Sequence, residues 1–148
     1  LYPPSTTKVS NFPKVDAIWI SYEHSDHLHP YTLSLIDKNT PIYVSDLDNR
    51  RLVSLLTGYG FKNVHAMNSF EPLTLRKDIQ ITSFESGSFW NDNILLMKFG
   101  EFTVLNVKDA GFNWKIKNVV DKVDLICSAF IKNEKCHPPS FIIFHLIL

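Results

Sequence analysis

Three histidines, one aspartate and one glutamate fall within the ten residues Ser21 to Pro30, "SYEHSDHLHP". Imidazole nitrogen and carboxylate oxygen are donors that zinc, iron and manganese accept, and His24-Ser25-Asp26-His27 brings three of them together. The chemistry such a set offers is attack by water: a bound cation lowers the pKa of its water toward about 7, so that hydroxide forms at neutral pH and attacks a carbonyl, phosphoryl or similar centre. The bland alternative is a solvated loop that happens to be polar. The glycines stand alone, which excludes a glycine-rich phosphate loop, and no Gly-x-Ser-x-Gly elbow supports a serine nucleophile.

Other residues of suitable type have competing explanations. Glu23 alternates with the ligand-type residues and is expected to point into solvent rather than act as a general base. His29 precedes Pro30 at a helix start, an ordinary place for a polar residue. Tyr22 is expected to be a structural hydroxyl, because a phenol with a pKa of about 10 is a poor zinc ligand. Asp109 follows the strand-like "FTVLNVK" and is either a turn residue with Ala110-Gly111 or a carboxylate ligand. Cys136-His137 is a pair of metal-ligand types, but it stands beside Pro138-Pro139 in an irregular tail. His65 reads as structural, and Trp90 and Trp114 as packing residues.

The elements that position the cluster follow from periodicity. Val15 to Ser21 is rich in β-branched and aromatic residues and stops at the polar cluster, so it predicts a buried strand with the cluster in the loop at its C-terminal end. Pro30 opens a short helix with Leu33 and Ile36 on one face, and Pro41-Ile42-Tyr43-Val44 predicts a second buried strand. Leu47 to Thr57 predicts a helix with Leu52, Leu55 and Leu56 inward and Gly58 at its C-terminal cap. Asn63 to Met67 is a short strand. From Glu71 the style becomes antiparallel: Leu73 to Phe84, then Ile94 to Phe99 and Phe102 to Val107 as a hairpin turning at Gly100-Glu101. Asn113 caps a short helix through Asp121 with Trp114, Ile116, Val119 and Val120 as its apolar set, and Val123 to Phe130 is a final strand.

The 148 residues are 45% hydrophobic and 20% charged, which predicts a single globular domain rather than a disordered chain. Fifteen basic and fifteen acidic residues cancel, so no general field draws the protein to nucleic acid or a membrane, and the expected partner is a small-molecule substrate. Cys127 lies in an apolar run and reads as a buried thiol; two cysteines make no disulfide framework, which points to a reducing, cytoplasmic compartment. The apolar tail Phe141 to Leu148 is too short to span a bilayer and reads as a strand with nothing after it to pair with. With Leu1 at the start, the ends are expected to be those of a fragment: a leader loop over 1–14, a core over 15–130 and a tail over 131–148.

Val15 through Asp46 resembles the metallo-β-lactamase superfamily, whose signature is His-x-His-x-Asp-His in the loop after a buried strand. More closely, "HSDHLHPYTLSLIDKNTPIYV" is similar to the metallo-β-lactamase-like domain of CMP-N-acetylneuraminate hydroxylases and their relatives. The resemblance extends from about Val15 to Phe130 and weakens beyond Leu47. It implies an αββα sandwich, α+β in its segregation and here partial, with a metal centre on the edge where two sheets meet.

The resemblance also implies a ligand set. His24 falls in the first metal site, Asp26 and His27 in the second, and Asp109 matches the bridging carboxylate. Tyr22 stands where the signature has its first histidine, and Ser88 where a later histidine is expected. The first site therefore keeps too few strong ligands and is expected to be empty or weak. The second keeps Asp26, His27 and Asp109, with Asp26 as the catalytic candidate and His24 assisting, and is expected to hold at most one ion of Zn2+, Fe2+ or Mn2+. The implied substrate is a sugar nucleotide or another small anionic metabolite. The oxygen chemistry of the hydroxylases would require a Rieske cluster, and no Cys-x-His and Cys-x-x-His pair occurs here. The rival is a scaffold or recognition module that keeps the fold without metal.

Overall fold

The computed structural model describes residues 14–23, 28–45, 51–86, 92–108, 110, 113–128 and 142–144. The first half alternates strand and helix. β1 (Ala17–Ile20), α1 (Pro30–Ser34), β2 (Ile42–Ser45), α2 (Arg51–Gly58) and β3 (Val64–Met67) build a parallel sheet, because each helix returns the chain to the edge from which the next strand starts. In the second half β4 (Pro72–Arg76), β5 (Ile79–Glu85), β6 (Asn93–Phe99) and β7 (Phe102–Lys108) pair antiparallel through short turns, and β8 (Leu125–Ser128) joins β7 in parallel.

Alternation along the strands sorts the core into layers. Ile18, Ile20, Ile42 and Val44 face the helices and bury Leu28, Leu33, Leu52, Leu56 and Phe61. The neighbouring positions Trp19 and Tyr43, with Met67, face the second sheet, where Ile81, Leu95, Met97 and Val104 meet them. The outer face of the second sheet holds Phe84, Ile94, Leu96 and Leu105 beneath Ile116 of the 3-10 helix Trp114–Asn118. Helices, sheet, sheet and 3-10 helix thus stack in the order expected of the sandwich. Each fully buried large apolar side chain stabilises this stack by about 1.5–3 kcal/mol.

Both helices need tertiary support at their lengths. In α1, Pro30 occupies the first turn, Leu33 is buried, and the Lys38 ammonium donates to the Leu33 carbonyl at 2.8 Å while lying 4.1 Å from the centre of the Phe61 ring. The end of α2 corrects the expected cap. Gly58 is still helical, and Gly60 carries the left-handed φ of 89°. The Gly60 N–H donates to the Thr57 carbonyl at 2.9 Å and the Phe61 N–H to that of Leu56 at 3.2 Å, a Schellman end in which Phe61 and Leu56 also share the core.

Other expectations are corrected by partners distant in sequence. The run Leu73 to Phe84 is two strands, β4 and β5, broken at the turn after Arg76. β8 is exposed throughout, and Cys127 with it, because the strand pairs with β7 but among the described residues no apolar layer covers it. The expected absence of a partner for the tail fails: β9 (Ile142–Phe144) pairs antiparallel with β1, completing the order β3-β2-β1-β9. Within the predicted 113–121 helix, the described turn is 3-10 and buries only Ile116, leaving Trp114 exposed with Lys117 Nζ 4.2 Å from its ring centre. His65 is exposed and stacks on Tyr43 at 5.2 Å; burial raises the Tyr43 phenol above its ordinary pKa.

Candidate metal centre

Strand direction sets where the motif-bearing segments begin. β1, β2 and β3 are parallel, so the chain leaves all three at one edge of the first sheet. In the second sheet Glu85 of β5 pairs with Asn93 of β6, and β7, antiparallel to β6, ends toward the same side as Asn93. The segments after β1, between β5 and β6, and after β7 therefore all leave from strand ends on the side where Asn93 meets β1. These are the segments that contain residues 24–27, 88 and 109.

Hydrogen bonds lock that edge. The Asn93 amide donates through Nδ2 to the Ser21 carbonyl at 3.3 Å, joining the two sheets where β1 gives way to the cluster. Ser86 N–H donates to the Asp92 carbonyl at 2.9 Å and closes the neck of the β5–β6 connection. The Asn113 amide donates to the Glu85 carbonyl at 2.7 Å, while its oxygen accepts from Lys115 N–H at 3.0 Å and caps the 3-10 helix. Ala110 N–H donates to the Val107 carbonyl at 2.8 Å, so the chain turns directly after β7.

The cluster loop is pinned on both sides. Before it, Ser21 is buried; after it, Leu28 lies in the helix-facing core and His29 caps α1, with Nδ1 3.2 Å from Thr32 Oγ1 and accepting from Thr32 N–H at 3.4 Å. His29 therefore serves the helix, as its place before Pro30 predicts. Glu23 departs from expectation: its Oε2 pairs with Arg51 Nε at 3.0 Å, tying the loop to the start of α2 rather than reaching into solvent alone. The side chains of His24, Asp26, His27, Asp109, Ser88, Trp90, Cys136 and His137 lie outside the described residues. Among the described residues no three His, Cys, Asp or Glu side chains gather to hold a cation.

A polar layer that sequence reasoning missed lies beneath this edge. Ser21, Ser45, Ser83, Asn93 and Asn106 are all buried, at inward-facing positions two residues from the apolar Trp19, Tyr43, Ile81, Leu95 and Val104. Among the described residues Ser45 Oγ, Ser83 Oγ and Asn93 Oδ1 are buried without a hydrogen-bond partner, as is Trp19 Nε1 deeper in the core. Buried polar atoms are rarely left so. The signal was present in the sequence: each strand trades an aromatic or aliphatic residue for Ser or Asn two positions nearer the loop edge. As a test of fit, two imidazoles and two carboxylates match a zinc, iron or manganese ion in donor chemistry, and the orphaned acceptors mark the adjoining interior as built for polar contents.

No protein-family profile matches the sequence, and no curated protein matches it. Solved structures do. CmlA, a diiron β-hydroxylase from Streptomyces venezuelae, superposes with a TM-score of 0.61 at 20% identity over 79% of this chain and 26% of its own. An isothiocyanate hydrolase from Delia radicum gut bacteria gives 0.58 at 18% identity over 74% and 45%, and the metallo-β-lactamase fold protein YhfI from Bacillus subtilis gives 0.54 at 20% over 75% and 49%. The chain thus spans between about a quarter and a half of the length of these structures. The protein has the metallo-β-lactamase fold.

Proposed function

We propose that this chain is the metal-binding part of a metallo-β-lactamase-fold, hydrolase-like domain, with one cation held by Asp26, His27 and Asp109 and assisted by His24. The observation that carries the reading is the register of the two sheets, which sends the segments containing all four residues out at the edge fastened by Asn93 and Ser21. A cation held there would supply a water acidic enough to ionise near neutral pH. The chain's own residues bring the donors together, exclude bulk water from beneath through the packed layer of Trp19, Leu95 and Met97, and hold the loop's exit angle through Ser21.

The substrate class proposed is a sugar nucleotide or other small anionic metabolite, in keeping with the likeness of the cluster segment to the sialic-acid hydroxylases. The diiron centre named for CmlA keeps iron, beside zinc and manganese, among the candidate ions. Three protein ligands with water complete a catalytic coordination set. Metal analysis after dialysis tests the reading: about one equivalent should remain bound, and Asp26→Ala with His27→Ala should reduce it below about a tenth while the protein stays folded. A wild-type protein that retains less than that tenth would instead be a scaffold that keeps the fold without metal, as the Tyr22 and Ser88 positions would suit.

A further inference from the structure

The second sheet has two edge strands, β4 and β8, and they are built differently. An open edge offers unpaired backbone N–H and C=O groups to any passing strand, and native proteins blunt such edges with proline, charge or a bulge. β4 carries all three: Pro72 begins it, Arg76 ends it, and its ladder with β5 slips between Thr74 and Arg76. β8 carries none. Leu125-Ile126-Cys127-Ser128 is uncharged, and its register with β7 is regular from Leu125 to Cys127.

The side chains of β8 carry both core layers out to that edge. Leu125 lies beside Val104, which packs toward the first sheet, and Ile126 lies beside Leu105, which packs beneath the 3-10 helix. Both are large and exposed, Leu125 by 48% and Ile126 by 59%. A strand that is apolar on both faces has the pattern of a sheet interior, not of an edge. Among the described residues β8 pairs with β7 alone.

We propose that β8 is a pairing edge and that two copies of this chain join through it, β8 antiparallel to β8, in one continuous sheet. Two features select a second copy as the occupant. β8 holds no charge and the chain's fifteen basic and fifteen acidic residues cancel, so two copies meet without net repulsion. The edge is also self-complementary. A twofold axis normal to the sheet at Ile126 keeps each face on its own side, sets Ile126 of one copy against Ile126 of the other, and sets Leu125 against Cys127. Both apolar layers then continue across the interface. Such pairing needs no bound cation, so it stands or falls apart from the metal centre.

Sedimentation equilibrium over a range of protein concentrations should show monomer and dimer in exchange. Ile126→Lys sets two ammonium groups opposite each other in place of two apolar side chains, and should weaken the dimer by at least about 10-fold. Leu73→Lys, on the other exposed edge, should leave it unchanged. In a Cys136→Ser background, a short bismaleimide should link Cys127 to Cys127, whose Cα atoms the pairing sets about 7–8 Å apart. A monomer at every concentration up to the solubility limit overturns the proposal, as does a dimer that Ile126→Lys leaves intact, or open-ended oligomers in place of a dimer. An Ile126→Lys variant that does not fold leaves the cross-link to decide: a Cys127 link supports the β8 pairing, and its absence from a dimeric protein overturns it.

Discussion

Glu23 and Arg51 form an ion pair of 3.0 Å between the cluster loop and the first residue of α2. The pair spends the glutamate's charge on architecture. A general base typically contributes about 10²–10⁴ in rate. Glu23→Gln should therefore lower any hydrolytic turnover by less than about tenfold, a steady-state measurement that would return Glu23 to the catalytic set if the loss were larger. Because Arg51 is mostly exposed, the coupling between Glu23→Gln and Arg51→Ala in a double-mutant cycle should stay below about 1 kcal/mol.

The two glycines at the end of α2 should respond oppositely to alanine. Gly60 has a φ of 89°, a conformation that costs a residue with a Cβ about 1–2 kcal/mol, so Gly60→Ala should lower stability by that amount in urea unfolding. Gly58 is helical with nothing within 4 Å of an added Cβ, and Gly58→Ala should raise stability by about 0.5–1 kcal/mol. Equal effects at the two positions would contradict the Schellman assignment.

Asp124 gives the fold a defined acid sensitivity. The Lys122 ammonium, bonded to Oδ1 at 2.7 Å, and the Thr103 N–H, donating to Oδ2 at 2.8 Å, hold its pKa below the ordinary value of 3.8. A carboxylate whose folded pKa is depressed stabilises the fold above the unfolded pKa and loses that contribution as pH falls through the folded one. The stability gap between wild type and Asp124→Asn should accordingly be constant near neutrality and close as pH drops below about 3.8. A gap that widens in acid would reverse the assigned direction.

Restoring the ligand types implied for the first metal site should add metal. Tyr22→His with Ser88→His supplies two imidazoles beside His24, and metal content should rise from about one equivalent toward two. Unchanged stoichiometry in the folded double variant would show that these positions do not complete a site.

The elements legible in the sequence are those whose cause is local. β1 is read from its unbroken apolar run, the β6–β7 hairpin from its turn at Gly100-Glu101, and the 3-10 helix start from Asn113, whose oxygen accepts from Lys115 N–H as a capping residue should. Pro30 and Leu33 of α1 behave likewise. The residue types on which the proposed chemistry rests are also local, because donor atoms belong to residues irrespective of how they are arranged. What the sequence could not fix was decided by partners far along the chain. β8 and Cys127 have an apolar pattern yet stay exposed, because burial requires an opposing surface and not merely a hydrophobic residue. β9 finds β1 across more than a hundred residues, and Glu23 finds Arg51 only because two parallel strands end at one edge.

The sequence alone therefore determined which residue types crowd the Ser21–Pro30 stretch and the strand that precedes it, since side-chain chemistry and backbone periodicity are properties of short stretches. Only the tertiary structure decided that the chain leaves β1, β5 and β7 on one side and that the polar positions of separate strands, Ser21, Ser45, Ser83, Asn93 and Asn106, are buried together at that edge. Strand direction and sheet-to-sheet register are collective: they arise from which faces bury one another, and no local pattern carries that information.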